Sequence, residues 1–166
     1  MTLKVIYGDL IKLAQAGQLD VIVHGCNCFN NMGSGIAPQI RQAFPKAWQV
    51  DQATSKGCPG KLGNYTHAIC GDVVVVNAYT QYGYGPNGKT AEQVRLGINR
   101  GGRKDHFDYT GFREILRQLR SQWGGLRFGF PLIGAGLAGG DWERIQEIIT
   151  AELVGEDVTI VKFQKE

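Results

Sequence analysis

One pattern occurs twice in this chain and limits its fold more than any other feature: an apolar run, a loop of small residues, then an amphipathic stretch. The first copy spans 21–44. It opens in "VIVHG", crosses a polar loop and ends in "GIAPQIRQAFP", where Ile36, Ile40 and Phe44 share one helical face. The second spans 126–153 and runs through "LRFGFPLIG", "GAGLAGG" and "DWERIQEIITAEL", with Trp142, Ile145, Ile149 and Leu153 inward. A run as apolar as "DVIV" suits a strand buried on both faces, which a sheet covered by helices supplies.

The remaining segments fit the same architecture. "LKVIYG" reads as a strand and "DLIKLAQAGQ" as a short helix that Asp9 caps. Pro45 breaks the helix before it, and Ala47 to Ala53 adds a further turn or two. "YTHAIC" and "DVVVVNAY" pair around a tight Gly71–Asp72 turn, which makes the sheet mixed. Residues 80–106 are Gly-rich and basic and are expected to form a surface excursion. "FDYTGFREILRQLRSQW" is a helix with Phe112, Ile115, Leu116, Leu119 and Trp123 at helical spacing, and "DVTIVKF" closes as a strand. No repeat or linker marks a second unit, so one α/β domain over 1–166 is expected.

Bulk properties exclude several classes. The start lacks a signal peptide's basic and apolar regions, and "VVVV" at 73–76 is far too short to span a membrane. Cysteines at 26, 28, 58 and 70 do not form a disulfide framework. A reduced, soluble, cytoplasmic protein without a membrane partner is the expectation. A net charge of +3 makes no global demand for nucleic acid.

Twenty-four glycines are about twice the usual share, and they cluster where backbone must approach something closely. Loops beyond the carboxyl ends of strands, opening helices, are suited to phosphate: free N–H groups and the helix dipole favour an anion. Two such loops side by side would suit a diphosphate. "GSG" at 33–35 and "GAGLAGG" at 134–140 match neither the dinucleotide fingerprint nor a P-loop, so pattern alone leaves them open as plain strand-to-helix turns. A zinc site at His24, Cys26 and Cys28 is set aside because the spacing is too tight for a tetrahedral knuckle. Cys26 and Cys28 are not a CxxC redox pair either. No metal or cofactor is expected.

Three motifs in order resemble those of the macrodomains, the ADP-ribose-binding α/β modules: "VIYGDL" at 5–10, "VHGCNCFNNMGSGIAPQIRQAFP" at 23–45 and "PLIGAGLAGGDW" at 131–142. The flavour is that of the branch holding ADP-ribose-1″-phosphate phosphatases and antitoxin-type ADP-ribosyl hydrolases. The resemblance implies a three-layer α/β/α fold with a mixed central sheet. It places Asp9, with Leu10 beside it, at the adenine amino group. Gly33, Ser34, Gly35 and Ile36 would wrap one phosphate and the distal ribose, and Gly134, Ala135, Gly136 and Leu137 would close over the other. Asn27 would face the distal ribose; read from the residues alone, it is an Asx-turn residue. Asp141 and His24 are the candidates for handling a catalytic water. Their plainer readings are a helix N-cap and a satisfied structural histidine.

Two departures from the family pattern matter. Where some relatives carry lysine in a "PTK" context, this chain has Thr80 and Gln81, and an Asp that some relatives carry near Ala138 is absent. Gln81 can neither form a Schiff base nor carry charge, which counts against lysine-dependent deglycosylation. Hydrolysis of ADP-ribose 1″-phosphate to ADP-ribose and phosphate is the leading reading. The alternatives are removal of ADP-ribose from protein or nucleic acid, and a non-catalytic ADP-ribose reader. Arg95, Arg100, Arg103, Lys104 and His106, with Tyr82 and Tyr84 upstream, and the stripe Arg113, Arg117 and Arg120 would suit nucleic acid or an ADP-ribosylated partner. A solvated helix face and loop is preferred.

Overall fold

The computed structural model describes residues 3–84, 89–97, 105–136 and 138–164. In chain order it contains β1 (Lys4–Gly8), α1 (Leu10–Gln15), β2 (Val21–Cys26), α2 (Ala37–Ala43), α3 (Pro45–Gln52), β3 (Tyr65–Cys70), β4 (Val73–Tyr79), α4 (Ala91–Arg95), α5 (Tyr109–Trp123), β5 (Arg127–Phe130), α6 (Trp142–Glu152) and β6 (Asp157–Phe163). Six strands form one sheet in the order β1-β6-β5-β2-β4-β3. All neighbours run parallel except β3 and β4, which form the hairpin around Gly71–Asp72. The fold is the expected three-layer α/β/α arrangement around a mixed sheet.

β2 shows why the sheet is covered on both sides. Val21 and Val23 join the cluster formed with α5 and α6, whereas Ile22 joins the cluster formed with α1, α2 and α3. All three are at most 1% exposed. Alternate side chains of a strand leave opposite faces, so an unbroken apolar run has to be sandwiched. On one side α5 contributes Phe112, Ile115, Leu116 and Leu119, and α6 contributes Ile145, Ile148 and Ile149. Leu153, just past α6, is also fully buried. On the other, Leu10, Ile11 and Ala14 of α1 meet Ile40 of α2 and Ala47 of α3. Phe44 is buried at the junction where Pro45 ends α2 and starts α3. Trp123 and Trp142 are only partly buried; Trp123 lies edge-on to Tyr65 and His67 over the β3 edge.

The middle of the chain departs from expectation. Among the described residues, 80–106 is less of a surface excursion than its composition suggests. Thr80, Thr90, Ala91, Gln93 and His106 are buried. Thr90 and Gln93 form a reciprocal capping box that starts α4, and Arg95 pairs with the buried Asp108, the N-cap of α5, at 2.7 Å. A five-residue helix is too short to print a period in the sequence. Arg100, Arg103 and Lys104 lie outside the described residues. The arginine stripe of α5 is largely engaged within the protein. Arg117 Nε donates to both carboxylate oxygens of Glu152 at 3.1 Å, and Arg120 Nη1 donates to the Glu152 carbonyl at 3.2 Å. These contacts tie α5 to α6.

No helix among the described residues is long and apolar enough to cross a membrane. Phe112 is fully buried between sheet and helices, so Phe112→Ala should lower unfolding free energy by about 3–5 kcal/mol. Urea denaturation followed by tryptophan fluorescence measures this; a loss below about 1 kcal/mol would show that the α5 interface is not a packed core.

Candidate functional site

The chain leaves β2 toward α2 and α3 on one face of the sheet, and leaves β5 toward α6 on the other. Because β2 and β5 are hydrogen-bonded neighbours, their loops diverge to opposite sides and open a crevice beyond the strand ends. Such a reversal point is where open α/β sheets hold ligands. Gly25 lets the strand ends close up: a Cβ there would sit 2.9 Å from Thr80 Oγ1 and 3.4 Å from Ile133 Cγ1. At the opposite end of the same strands Arg127 Nε and Nη2 hold the Asp20 carboxylate at 2.9 Å each. That guanidinium keeps the carboxyl below its usual range.

The two loops present backbone donors. Among the described residues, the N–H groups of Ser34, Gly35 and Ile36 at the start of α2 meet no internal acceptor, nor do those of Gly134 and Gly136. Gly35 and Gly136 face open space, with nothing within 4 Å of where a Cβ would lie. Gly134 is a glycine for a different reason. Its φ is +74°, and a Cβ there would overlap the Phe107 ring beneath the loop. The Gly33 N–H is accepted by Asn31 Oδ1 at 2.9 Å and the Ala135 N–H by the Leu132 carbonyl at 3.2 Å, so neither is available to a ligand. Ile36 is half-buried against the α2 cluster. Leu137 lies outside the described residues.

Asp9 Oδ1 caps α1, accepting from the N–H groups of Ile11 and Lys12 at 3.0 and 3.1 Å. Its other oxygen forms no hydrogen bond within the described chain. The Leu10 side chain is core, 3% exposed, so only its backbone could serve a ligand. Asp141 likewise caps α6, its Oδ1 accepting from Glu143 N–H at 3.1 Å and, at 3.5 Å, from Arg144 N–H, while the carboxylate stays exposed. Its own N–H donates to Tyr109 Oη at 2.9 Å, and Arg144 lies 3.8 Å over that ring.

Asn27 and His24 turn inward. Asn27 Oδ1 accepts from Phe29 N–H and its amide donates to the Asn31 carbonyl, both at 2.9 Å, which is the Asx-turn role. His24 is 1% exposed and shares a 2.7 Å hydrogen bond with Asn77 Oδ1. The Asn77 amide donates to the Ala47 carbonyl and to Thr66 Oγ1, so its oxygen is the acceptor and His24 Nε2 carries the proton. Burial lowers the His24 pKa from 6.5 to about 4, against a small opposing effect of that hydrogen bond. Neutral at ordinary pH and sealed from the crevice, His24 is not placed to handle a water. The plainer expectation for this residue is the better one, because β2 points it at α3. Thr80 is fully buried and Gln81 donates to the Gly83 carbonyl, so neither offers charge to the crevice.

Beneath the β2 loop lies a buried network that sequence reasoning missed. Lys61, 8% exposed, donates to the Cys28 carbonyl at 3.1 Å, Asn30 Oδ1 at 2.6 Å and Thr54 Oγ1 at 2.7 Å. Its ammonium also lies 4.9 Å over the Tyr79 ring. Tyr79 Oη donates to Asp51 Oδ1 at 2.8 Å, and desolvation raises the Asp51 pKa. Burial also pushes the Cys26 thiol well up and Cys28 up to about 12, so both stay protonated. Among the described residues no group of three or more His, Cys, Asp or Glu is arranged to hold a metal. "GKLG" carries no motif that would have flagged Lys61.

No protein-family model matches the chain. It is 32% identical to the uncharacterised 17.5 kDa protein of the tk–vs intergenic region of enterobacteria phage T4, across 99% of this chain and 98% of that one. The chain belongs to the family of that phage protein. Among solved structures, the macrodomain of Mycobacterium tuberculosis DarG superposes with a TM-score of 0.67 at 17% identity, covering 99% of this chain and 100% of that one. Thermosipho africanus DarTG in complex with ADP-ribose gives 0.68 at 16% identity, covering 97% of this chain and 42% of that one. The fold is a macrodomain fold. In it, the two glycine loops of this chain rise from the adjacent strands β2 and β5.

His24 also makes stability depend on pH. Its folded pKa lies below the unfolded value of 6.5, so the unfolded chain binds the proton more readily between the two. Stability is therefore full above 6.5 and falls as the pH drops toward about 4, by roughly 3 kcal/mol in total. His24→Gln, which can still donate to Asn77, should remove most of this slope in urea melts. An unchanged slope would show that other groups dominate acid sensitivity.

Proposed function

We propose that this chain is a single macrodomain unit, spanning 1–166, that binds ADP-ribose between its two glycine loops. The observation carrying this reading is the pair of loops on neighbouring strands β2 and β5, with the free N–H groups of Ser34, Gly35 and Ile36 on one and of Gly134 and Gly136 on the other. Backbone donors supplied by adjacent loops suit the oxygens of a diphosphate, and glycines without side chains admit it closely. The uncommitted Asp9 oxygen at the start of α1 suits an amino group such as that of adenine. A Trypanosoma brucei macrodomain of similar fold, at a TM-score of 0.63, is in complex with ADP-ribose, which supports the same ligand for this chain. Gly136 faces open space and has no left-handed φ, so Gly136→Val should keep the fold and fill the ligand's volume. Calorimetry should show ADP-ribose binding in the parent and at least about tenfold weaker binding in the variant, a difference near 1.4 kcal/mol. Equal affinity would remove the diphosphate from this loop.

A second reading adds hydrolysis of ADP-ribose 1″-phosphate. What favours it is Asp141, exposed at the end of the β5 loop with only one carboxylate oxygen spent on capping. In this reading the Asp141 carboxylate takes a proton from water as the water oxygen bonds to phosphorus. The bond from phosphorus to the 1″ oxygen breaks with its electron pair going to that oxygen, which takes a proton from solvent. ADP-ribose and phosphate leave, and Asp141 gives its proton back to solvent. Neither His24 nor Asn27 takes part, since both are committed internally. Removal of ADP-ribose from protein or nucleic acid gains no support from Thr80 and Gln81. Asp141→Asn keeps a good N-cap while removing the charge. Phosphate release from ADP-ribose 1″-phosphate should fall about a hundredfold in this variant, with ADP-ribose affinity preserved. Absence of turnover in the parent, together with tight ADP-ribose binding, selects the non-catalytic reader.

A further inference from the structure

A hollow of about 280 Å³ lies on the outer side of the β2 loop, away from the β5 loop. It is lined by the β2 loop from Phe29 to Gly33, by Arg41 of α2 and Trp48 and Gln52 of α3, and by Lys56 and Tyr84. Its chemistry differs from that of the two amide loops. Two cations, Arg41 and Lys56, line it, and among the described residues no carboxylate does. Among the described residues neither cation forms an ion pair, unlike Arg117, which is spent on Glu152.

Three aromatic rings, Phe29, Trp48 and Tyr84, line the hollow with the two cations. Arg41 lies 4.1 Å over the Trp48 ring. Phe29 is held edge-on by Tyr82 at 5.0 Å and by Tyr84 at 6.2 Å, while Tyr84 remains 52% exposed. An amide edge completes the set. Gln52 Nε2 is spent on the Asn30 carbonyl and Asn31 Oδ1 on Gly33 N–H. The remaining Gln52 oxygen and Asn31 amide form no hydrogen bond within the described chain.

We propose that this hollow binds one nucleotide of a single-stranded nucleic acid, its base against Tyr84 and Phe29 and its phosphate on Arg41 and Lys56. Cations without ion pairs beside an exposed Tyr84 and the half-buried Phe29 and Trp48 match the way single strands are held: a basic track for the backbone and aromatic faces for the bases. An acidic peptide would use the cations and leave the rings idle. A duplex would present phosphates while its bases stayed stacked inside. Arg117 and Arg120 of the α5 stripe are held by Glu152, whereas Arg41 and Lys56 form no ion pair among the described residues. The hollow shares the β2 loop with the ADP-ribose reading, but among the described residues none of the β5 loop lines it, so the two are tested apart through Gly136.

The probe is a fluorescent single-stranded thymidine tetranucleotide with a 5′ phosphate, followed by anisotropy against the full chain. Saturable binding is expected, falling log-linearly with salt. Tyr84→Ala and Arg41→Gln, both at exposed positions, should each weaken it about tenfold. Gly136→Val should leave it unchanged, so failure of the ADP-ribose reading would not affect this result. No saturation, equal binding of a hairpin duplex, displacement by a tetraglutamate peptide as readily as by AMP, or variants matching the parent would each overturn the proposal.

Discussion

The placement of β2 between β5 and β4, all parallel, is the constraint from which the rest of the molecule follows. Parallel strands need crossovers, and the crossovers from β2 and β5 pass over opposite faces of the sheet. That divergence leaves a crevice at the carboxyl ends, from which the two loops with unpaired N–H groups rise on adjacent strands. Gly25 is the local condition for it. Thr80 just past β4 and Ile133 beyond β5 close to within contact of that residue, so any side chain there would push them apart.

The crevice is shaped by side chains that never face it. Lys61 holds the Cys28 carbonyl and the Asn30 side chain, Asn27 ties Phe29 to Asn31, and Phe107 supports Gly134 from below. A buried ammonium with three acceptors is satisfied, and removing it would leave those acceptors unpaired in a low-dielectric interior. The network running from His24 through Asn77 and Thr66 to Tyr79 and Asp51 fixes α3 against β2 and β4. Loops tied down by such contacts would need less ordering to bind a ligand as proposed.

Long periodic elements were legible in the residues. The apolar face of α5 and that of α6 repeat at helical spacing, and their expected core positions are buried apart from the two tryptophans at their ends. The capping roles of Asp9 and Asp141 were also legible, since an acidic residue just before an apolar-periodic run has a local meaning. What could not be read was direction. His24 follows an apolar run at a strand end and looks equally suited to face a ligand or a helix; only its pairing with Asn77, 53 positions away, decides. Lys61 and the pairing of Arg95 with Asp108 are similarly long-range and leave no local periodicity.

By itself the sequence determined that this chain builds alternating strands and helices, that β2 is covered on both faces, and that two small-residue loops follow two strands. Those properties depend on residues near one another in the chain, through hydrophobic period, glycine and proline placement, and helix caps. Tertiary structure alone decided that the two loops sit on adjacent strands, that His24 and Asn27 are spent internally, and that Arg41, Lys56 and three aromatic rings share one hollow. Each of these is a meeting of distant segments, determined by strand order and packing, and no local pattern encodes it.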